Sequence, residues 1–327
     1  MIRRALLATA ALGAAVVSIG PVSDRLARRL MAAPRRLPEE TGMGTLLDRL
    51  GGEVVRLRSR DGVRLTGRWL AAEPGDDHWF ADPREAILLL HGYSGSVTPD
   101  LVALGPFLRR TAGVLGLDFR GHGGSDDAPT TFGLNEIEDV AGALSWLGER
   151  GVRRVALVGS SMGGITAIAA TAVLGDGRLA SADIPTEAPV VTTVDAPRPR
   201  IVAVVADSVS PELALVVGRR LGVPGGVRLA GHAFSRFERI AGGDPRAPQP
   251  IAMVGLLEDL PLLLVHGGAD PLIPASAQAR LVAAAPAGAR HLVVDGAGHR
   301  EAYRTDPDAW EAAAGDLLRT AFRAARE

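Results

Sequence analysis

Val155-Ala156-Leu157-Val158-Gly159-Ser160-Ser161-Met162-Gly163-Gly164 runs from four consecutive apolar residues through a cluster of small ones into a helix-prone stretch that continues to Leu174. Apolar residues on consecutive positions, bounded by glycine, read as a strand buried on both faces. G-x-S-x-G between a strand and a helix is a tight turn that holds a serine on strained backbone with its hydroxyl exposed, so the flanking positions must lack bulk. Gly159 and Gly163 meet that requirement. In a chain with 40 glycines the pattern alone says little. Its position between strand and helix makes Ser161 a candidate nucleophile.

Outward from this turn, short apolar runs alternate with helix-length segments. The runs are Ala86 to Leu90, Gly113 to Leu117, Arg154 to Val158, Ile201 to Ala206, Leu262 to Val265 and His291 to Val294. Between and after them, helices are predicted over Pro99 to Arg110, Asn135 to Glu149, Met162 to Leu174, Ala275 to Ala284 and Pro307 to Arg326. This alternation is that of an α/β protein with a mostly parallel central sheet flanked by helices. Upstream, β-favouring residues from Glu53 to Leu70 flank Asp61-Gly62, a hairpin signal that predicts an antiparallel opening to the sheet. Two segments break the rhythm. Gly175 to Arg200, rich in Pro, Thr, Asp and Ala, reads as a surface excursion, and 211–258 holds one apolar helix, Glu212 to Leu221, before Gly and Pro breaks. The latter segment is a candidate short cap.

A serine hydroxyl needs a base at neutral pH, and the chain has seven histidines. His91 and His122 lie in Gly-rich turns after strands, His266 ends a strand, His291 begins one, and His78 and His232 lie in loops without supporting context. His299 follows the last strand through Asp295-Gly296-Ala297-Gly298, a flexible turn able to carry an imidazole over the strand ends. The orienting acid is then Asp270, in the loop after Leu262 to Val265, with Asp207 after the preceding strand as the second candidate. Acyl transfer further requires N–H donors for a developing oxyanion. Met162, directly after the serine, and Tyr93, in the loop His91-Gly92-Tyr93-Ser94-Gly95-Ser96, are the candidates. That loop has neither G-x-x-x-x-G-K-[ST] nor G-x-G-x-x-G, which argues against a nucleotide.

His91-Gly92-Tyr93, Asp118-Phe119-Arg120-Gly121-His122-Gly123-Gly124-Ser125, the Ser161 turn and the Asp270 and His299 loops stand in an order that resembles the α/β-hydrolase superfamily from about Glu53 onward. The resemblance implies the α/β-hydrolase fold, a serine-hydrolase activity without cofactor or metal, and the chain order Ser161, Asp270, His299 for the triad. In this resemblance the Arg120 to Gly123 turn is a structural marker and not a catalytic one. Thr131-Phe132-Gly133 through Glu136 and Asp139, the short 211–258 segment and the 261–274 stretch look most similar to bacterial esterase-like members related to the prolyl-oligopeptidase catalytic domain, and the length leaves no room for a propeller. A small-molecule ester is the expected substrate. A peptidase or amidase, a cofactor-free perhydrolase or haloperoxidase, and a non-catalytic binding protein on the same scaffold are the alternatives.

Composition narrows the field further. A net charge of −1, with every non-histidine cation an arginine, offers no basic excess for a phosphate backbone, so no nucleic-acid partner is expected. The absence of cysteine removes disulfides, thiolate nucleophiles and cysteine-held metals. At the N-terminus, Ala5 to Ser23 is uncharged and apolar over about 19 residues, long enough for a membrane-crossing helix, with arginines on both sides. A single-pass anchor is the expectation, with a cleaved signal and secretion, or a packed soluble helix, as alternatives. The expected division is residues 1–40 as this segment plus a linker from Ala32 to Glu40, and 41–327 as the catalytic domain.

Overall fold

The computed structural model describes residues 20–33, 35, 42–73, 81–93, 95–175, 198–241 and 249–327, without the side chains of 237–241. Eight strands form one sheet: β1 (Glu53–Arg58), β2 (Arg64–Leu70), β3 (Glu85–Leu90), β4 (Gly113–Asp118), β5 (Arg154–Ser160), β6 (Arg200–Asp207), β7 (Leu262–Gly267) and β8 (Arg290–Val294). Their order is β1-β2-β4-β3-β5-β6-β7-β8, with β1, β2 and β4 antiparallel neighbours and every later pairing parallel. The hairpin predicted around Asp61-Gly62 forms, in register Arg58 opposite Arg64. All six residues of β3, of β4 and of β7 are buried, because helices cover both faces. Leu88, Leu90, Leu157 and Leu264 point to one face, under α4 (Glu136–Glu149) and α5 (Met162–Leu174). Ile87, Leu89, Val158 and Val265 point to the other, under α3 (Thr98–Leu108) and the C-terminal α11 (Pro307–Arg326), whose Trp310, Leu318 and Phe322 are buried. This two-faced core is what the consecutive apolar runs require.

Helices stand where they are predicted, with ends moved by a residue or two. Three further ones are α2 (Met43–Arg49), α8 (Pro250–Val254) and α10 (Ala302–Thr305), and α9 (Ala275–Ala284) has the predicted bounds. The larger difference lies between β6 and β7. There α6 (Leu213–Leu221) is followed by a second helix, α7 (Gly226–Ala241), in sequence expected to be broken by Gly and Pro. The glycines are contact points and not breaks. A Cβ on Gly218 would lie 2.3 Å from Val227 Cα, and one on Gly226 would lie 2.5 Å from the Gly218 carbonyl oxygen, so these residues let the two helices touch backbone to backbone. Most of the expected 175–200 excursion lies outside the described residues.

The N-terminal segment is described only in part. Of the apolar run 5–23, residues 20–23 are described, and they open a helix, α1 (residues 20–31), packed on the body of the protein. Ser23, Ala27 and Met31, one helical turn apart, are buried. Asp24 pairs with Arg236 of α7 at 2.8 Å, and the Met31 carbonyl accepts the Thr130 N–H at 2.9 Å. Arg35, in the expected linker, makes a β-bridge with Gly95 and an ion pair with Asp127. Residues 20–31 and Arg35 therefore make contacts with the body of the protein. Among the described residues no helix is long and apolar enough to cross a membrane; residues 5–19 lie outside them.

The Arg120 turn holds the sheet to its surroundings. The buried Arg120 guanidinium donates to Asp139 Oδ1 of α4 at 2.7 and 2.9 Å and to both oxygens of Asp61 in the hairpin loop at 2.8 Å, while Asp139 Oδ2 accepts the Arg120 backbone N–H at 2.9 Å. Removing one partner of such a pair leaves a buried charge short of its counter-ion, so Asp139→Ala is expected to cost about 3–5 kcal/mol of stability, read from urea unfolding. For α1, a chain beginning at residue 34 should unfold several degrees lower by calorimetry than one beginning at residue 20.

Candidate active site

The carboxyl ends of β3, β5, β6, β7 and β8 are adjacent in the sheet, and the candidate residues sit just beyond them. Ser161 stands between β5 and α5 with φ 52° and ψ −113°, a region that side chains other than glycine seldom occupy. Close packing enforces the turn. A Cβ on Gly159 would lie 2.4 Å from the Gly163 carbonyl, and one on Gly163 would lie 2.1 Å from the carbonyl oxygen of Leu90, so α5 starts against the end of β3. The Ser161 N–H donates to the Asp207 carbonyl at 2.7 Å, which ties the turn to β6.

The structure brings Ser161, His299 and Asp270 into one hydrogen-bonded chain. His299 Nε2 lies 3.0 Å from Ser161 Oγ, and His299 Nδ1 lies 2.7 Å from Asp270 Oδ2. The other oxygen of Asp270 accepts the N–H groups of Leu272 and Ile273 at 2.8 and 3.1 Å. Burial opposes the charge on Asp270, but the His299 ring and the two N–H groups outweigh it and hold the carboxyl below its ordinary range. The second candidate, Asp207, turns its side chain to the Ser208 hydroxyl at 2.8 Å, and burial pushes it up to about 6.

The remaining described histidines stand apart from this chain. Buried His91 donates from Nδ1 to the Gly92 carbonyl at 2.6 Å and accepts the Phe119 N–H on Nε2, and burial holds its pKa well down. His122 bonds the Arg120 carbonyl. His266 lies between the Val209 carbonyl and His291 at 3.1 Å each, pushed down to about 4 by burial, and His232 is exposed on α7. His78 lies outside the described residues.

Met162 is buried at the first position of α5, where the backbone N–H groups of a helix start are unpaired within the helix. Tyr93 lies two residues beyond the His91 that follows β3. Its hydroxyl donates to the Leu30 carbonyl of α1 at 3.0 Å, and its ring stacks on Phe132 at 4.8 Å, which meets Phe234 of α7 edge-on at 5.6 Å. The loop carrying Tyr93 is thus fastened to the N-terminal helix. That link between residues 63 apart in sequence left no signal in local pattern. Ser208, whose hydroxyl bridges Asp207 and the Arg300 N–H, likewise gives no local signal, since an isolated serine after a strand is unremarkable in sequence.

The profile of the α/β-hydrolase family matches residues 87–314. The chain belongs to this family. Among curated relatives, the uncharacterised protein YfhR of Escherichia coli O157:H7 is 26% identical over 260 residues, covering 78% of this chain and 76% of YfhR. The uncharacterised protein Rv2307c of Mycobacterium tuberculosis is 29% identical over 279 residues, covering 84% of this chain and 80% of Rv2307c. Among solved structures, the Pyrococcus furiosus esterase Pf2001 superposes with TM-score 0.61 at 22% identity, over 88% of this chain and 97% of the esterase. A thermophilic esterase from Thermogutta terrifontis gives 0.54 at 17% identity, over 82% and 99%. At these identities the structures speak for the fold.

The strained serine has a measurable consequence. Glycine adopts positive φ without the steric cost of a Cβ, so Ser161→Gly is expected to be more stable than Ser161→Ala by about 1 kcal/mol, despite the greater freedom of glycine in the unfolded chain. Thermal unfolding of the two variants side by side checks this; an alanine variant as stable as the glycine one would show the backbone to be relaxed.

Proposed function

We propose that this α/β-hydrolase is a serine hydrolase that cleaves carboxylic esters through an acyl-enzyme formed on Ser161. The observation that carries the reading is the continuous chain from Ser161 Oγ through His299 to Asp270 at 3.0 and 2.7 Å. The fold shared with the Pyrococcus and Thermogutta esterases supports it. Asp270 accepts the Nδ1–H of His299, which fixes the tautomer and leaves the Nε2 lone pair facing the serine hydroxyl. As Ser161 Oγ attacks the ester carbonyl, its proton passes to Nε2, and the carbonyl oxygen takes up the negative charge. The N–H groups of Met162 and Tyr93 are the proposed donors to that oxyanion. Collapse expels the alcohol, which takes the proton from Nε2, and the acyl group stays on Ser161. Water then attacks the acyl carbonyl, giving a proton to His299, and the carboxylic acid is released as the proton returns to Ser161.

Two measurements test this. Ser161→Ala should abolish both labelling by a fluorophosphonate probe and hydrolysis of p-nitrophenyl butyrate, and undiminished turnover in that variant would overturn the proposal. Asp270→Asn should lower kcat by roughly 10³- to 10⁴-fold through loss of the correct tautomer. Asp207→Asn should cost much less, and the reverse ranking would transfer the role of the acid to Asp207.

A further inference from the structure

Arg300 follows His299 directly, and its backbone has φ 63°, the left-handed region that an arginine enters at a cost. Two sets of contacts hold it there. The main-chain N–H donates to Ser208 Oγ at 2.9 Å, and Ser208 is itself at φ 56°. The side chain reaches across the strand ends to three elements at once. Nε donates to Ser160 Oγ at 3.0 Å, the residue before Ser161. One terminal nitrogen meets both carboxylate oxygens of Asp100, in the first turn of α3, at 2.9 Å. The guanidinium also lies flat on Gly92, where a Cβ would come within 2.8 Å of its central carbon; Gly92 precedes Tyr93.

We infer that Arg300, the chain neighbour of His299, is a positioning residue that sets the relative placement of the proposed base, nucleophile and oxyanion loop, by holding the chain neighbours of Ser161 and Tyr93 with its guanidinium. This rests on the reading of Ser161 as nucleophile. The chemistry suits arginine specifically. A planar fork presents separated donors in fixed directions, whereas an ammonium on a flexible stem is a single point charge. Asp100 is largely buried, and burial pushes its carboxyl up while Arg300 pulls the other way, so the pair is matched in charge as well as shape. Displacements of about 1 Å at a reacting centre can cost on the order of 10²-fold in rate, the scale on which such a clamp matters. Arg300 touches no reacting atom in this scheme. Its effect is on kcat and on the reactivity of Ser161.

The test uses the full chain with p-nitrophenyl butyrate, a fluorophosphonate and thermal unfolding, on Arg300→Lys, Ser160→Ala and the double variant Arg300→Met with Asp100→Leu, which removes both charges so that no carboxylate is left buried alone. The double variant is expected to lose roughly 30- to 100-fold in kcat and in fluorophosphonate labelling rate, on the scale of a 1 Å misplacement, with KM within about threefold. Arg300→Lys, which keeps the charge, should fail to restore the rate, and Ser160→Ala should lose about fivefold or more at a near-wild-type unfolding temperature. Should the double variant fail to fold, the two single variants decide. Rates within twofold of wild type in the folded variants, full rescue by lysine, or a loss confined to KM would each overturn the clamp. Failure of the underlying reading is distinguishable, because wild-type protein would then escape the fluorophosphonate altogether.

Discussion

The contact on which the site depends is the backbone approach of Gly163 to the Leu90 carbonyl, with Gly159 folded against Gly163 from the other side. Nothing larger than hydrogen fits at either glycine without displacing main chain. Because the approach is this close, α5 begins directly against the end of β3, and Ser161 is forced into positive φ at the crest of the turn. The same proximity sets the start of α5 beside the loop that bears Tyr93. One steric constraint thereby fixes the serine, the head of the helix and the neighbouring loop together, and the cost in strain is spread through a core packed on both faces of the sheet.

Around that turn, polar contacts rather than apolar ones set the positions of the functional groups. Two backbone N–H groups hold Asp270, the carbonyl of Asp207 holds the Ser161 N–H, and the Ser208 hydroxyl holds the backbone beyond His299. Directional bonds suit this task because dispersion and hydrophobic contacts resist sliding only weakly, whereas a proton relay tolerates little displacement. Tyr93 is fastened both ways, by its ring on Phe132 and by its hydroxyl on the Leu30 carbonyl. Helix α1 thereby becomes part of the architecture of the site, since the residues holding the Tyr93 loop come from the N-terminal helix as well as from the sheet.

The sequence pattern was readable where a residue's role follows from its near neighbours. Consecutive apolar runs marked strands covered on both sides, and small residues between strand and helix marked the Ser161 turn. His299 emerged because the Gly-rich loop before the last helix offered the needed reach, and Asp270 stood first of two carboxylates for a similar reason. Within 211–258 a second helix forms where breaks are expected, because glycine carries two meanings. Gly218 and Gly226 look like breaks along the chain, but they are the surfaces on which α6 and α7 meet. The packing of α1 has no counterpart in local pattern, because burial of Ser23, Ala27 and Met31 depends on a surface assembled from distant segments.

Sequence by itself therefore determined the parallel α/β sheet, the strand-turn-helix at Ser161 and the small set of residues from which a proton relay could be built, since each is written in local periodicity and spacing. Tertiary structure alone decided that His299 lies on Asp270 and not on Asp207, that Leu30 receives the Tyr93 hydroxyl, and that Arg300 spans Ser160, Asp100 and Gly92. The physical reason is that these contacts join residues brought together only when strand order and crossover helices are in place. A hydrogen bond constrains distance and direction in space, and neither is encoded in how far apart two residues stand along the chain.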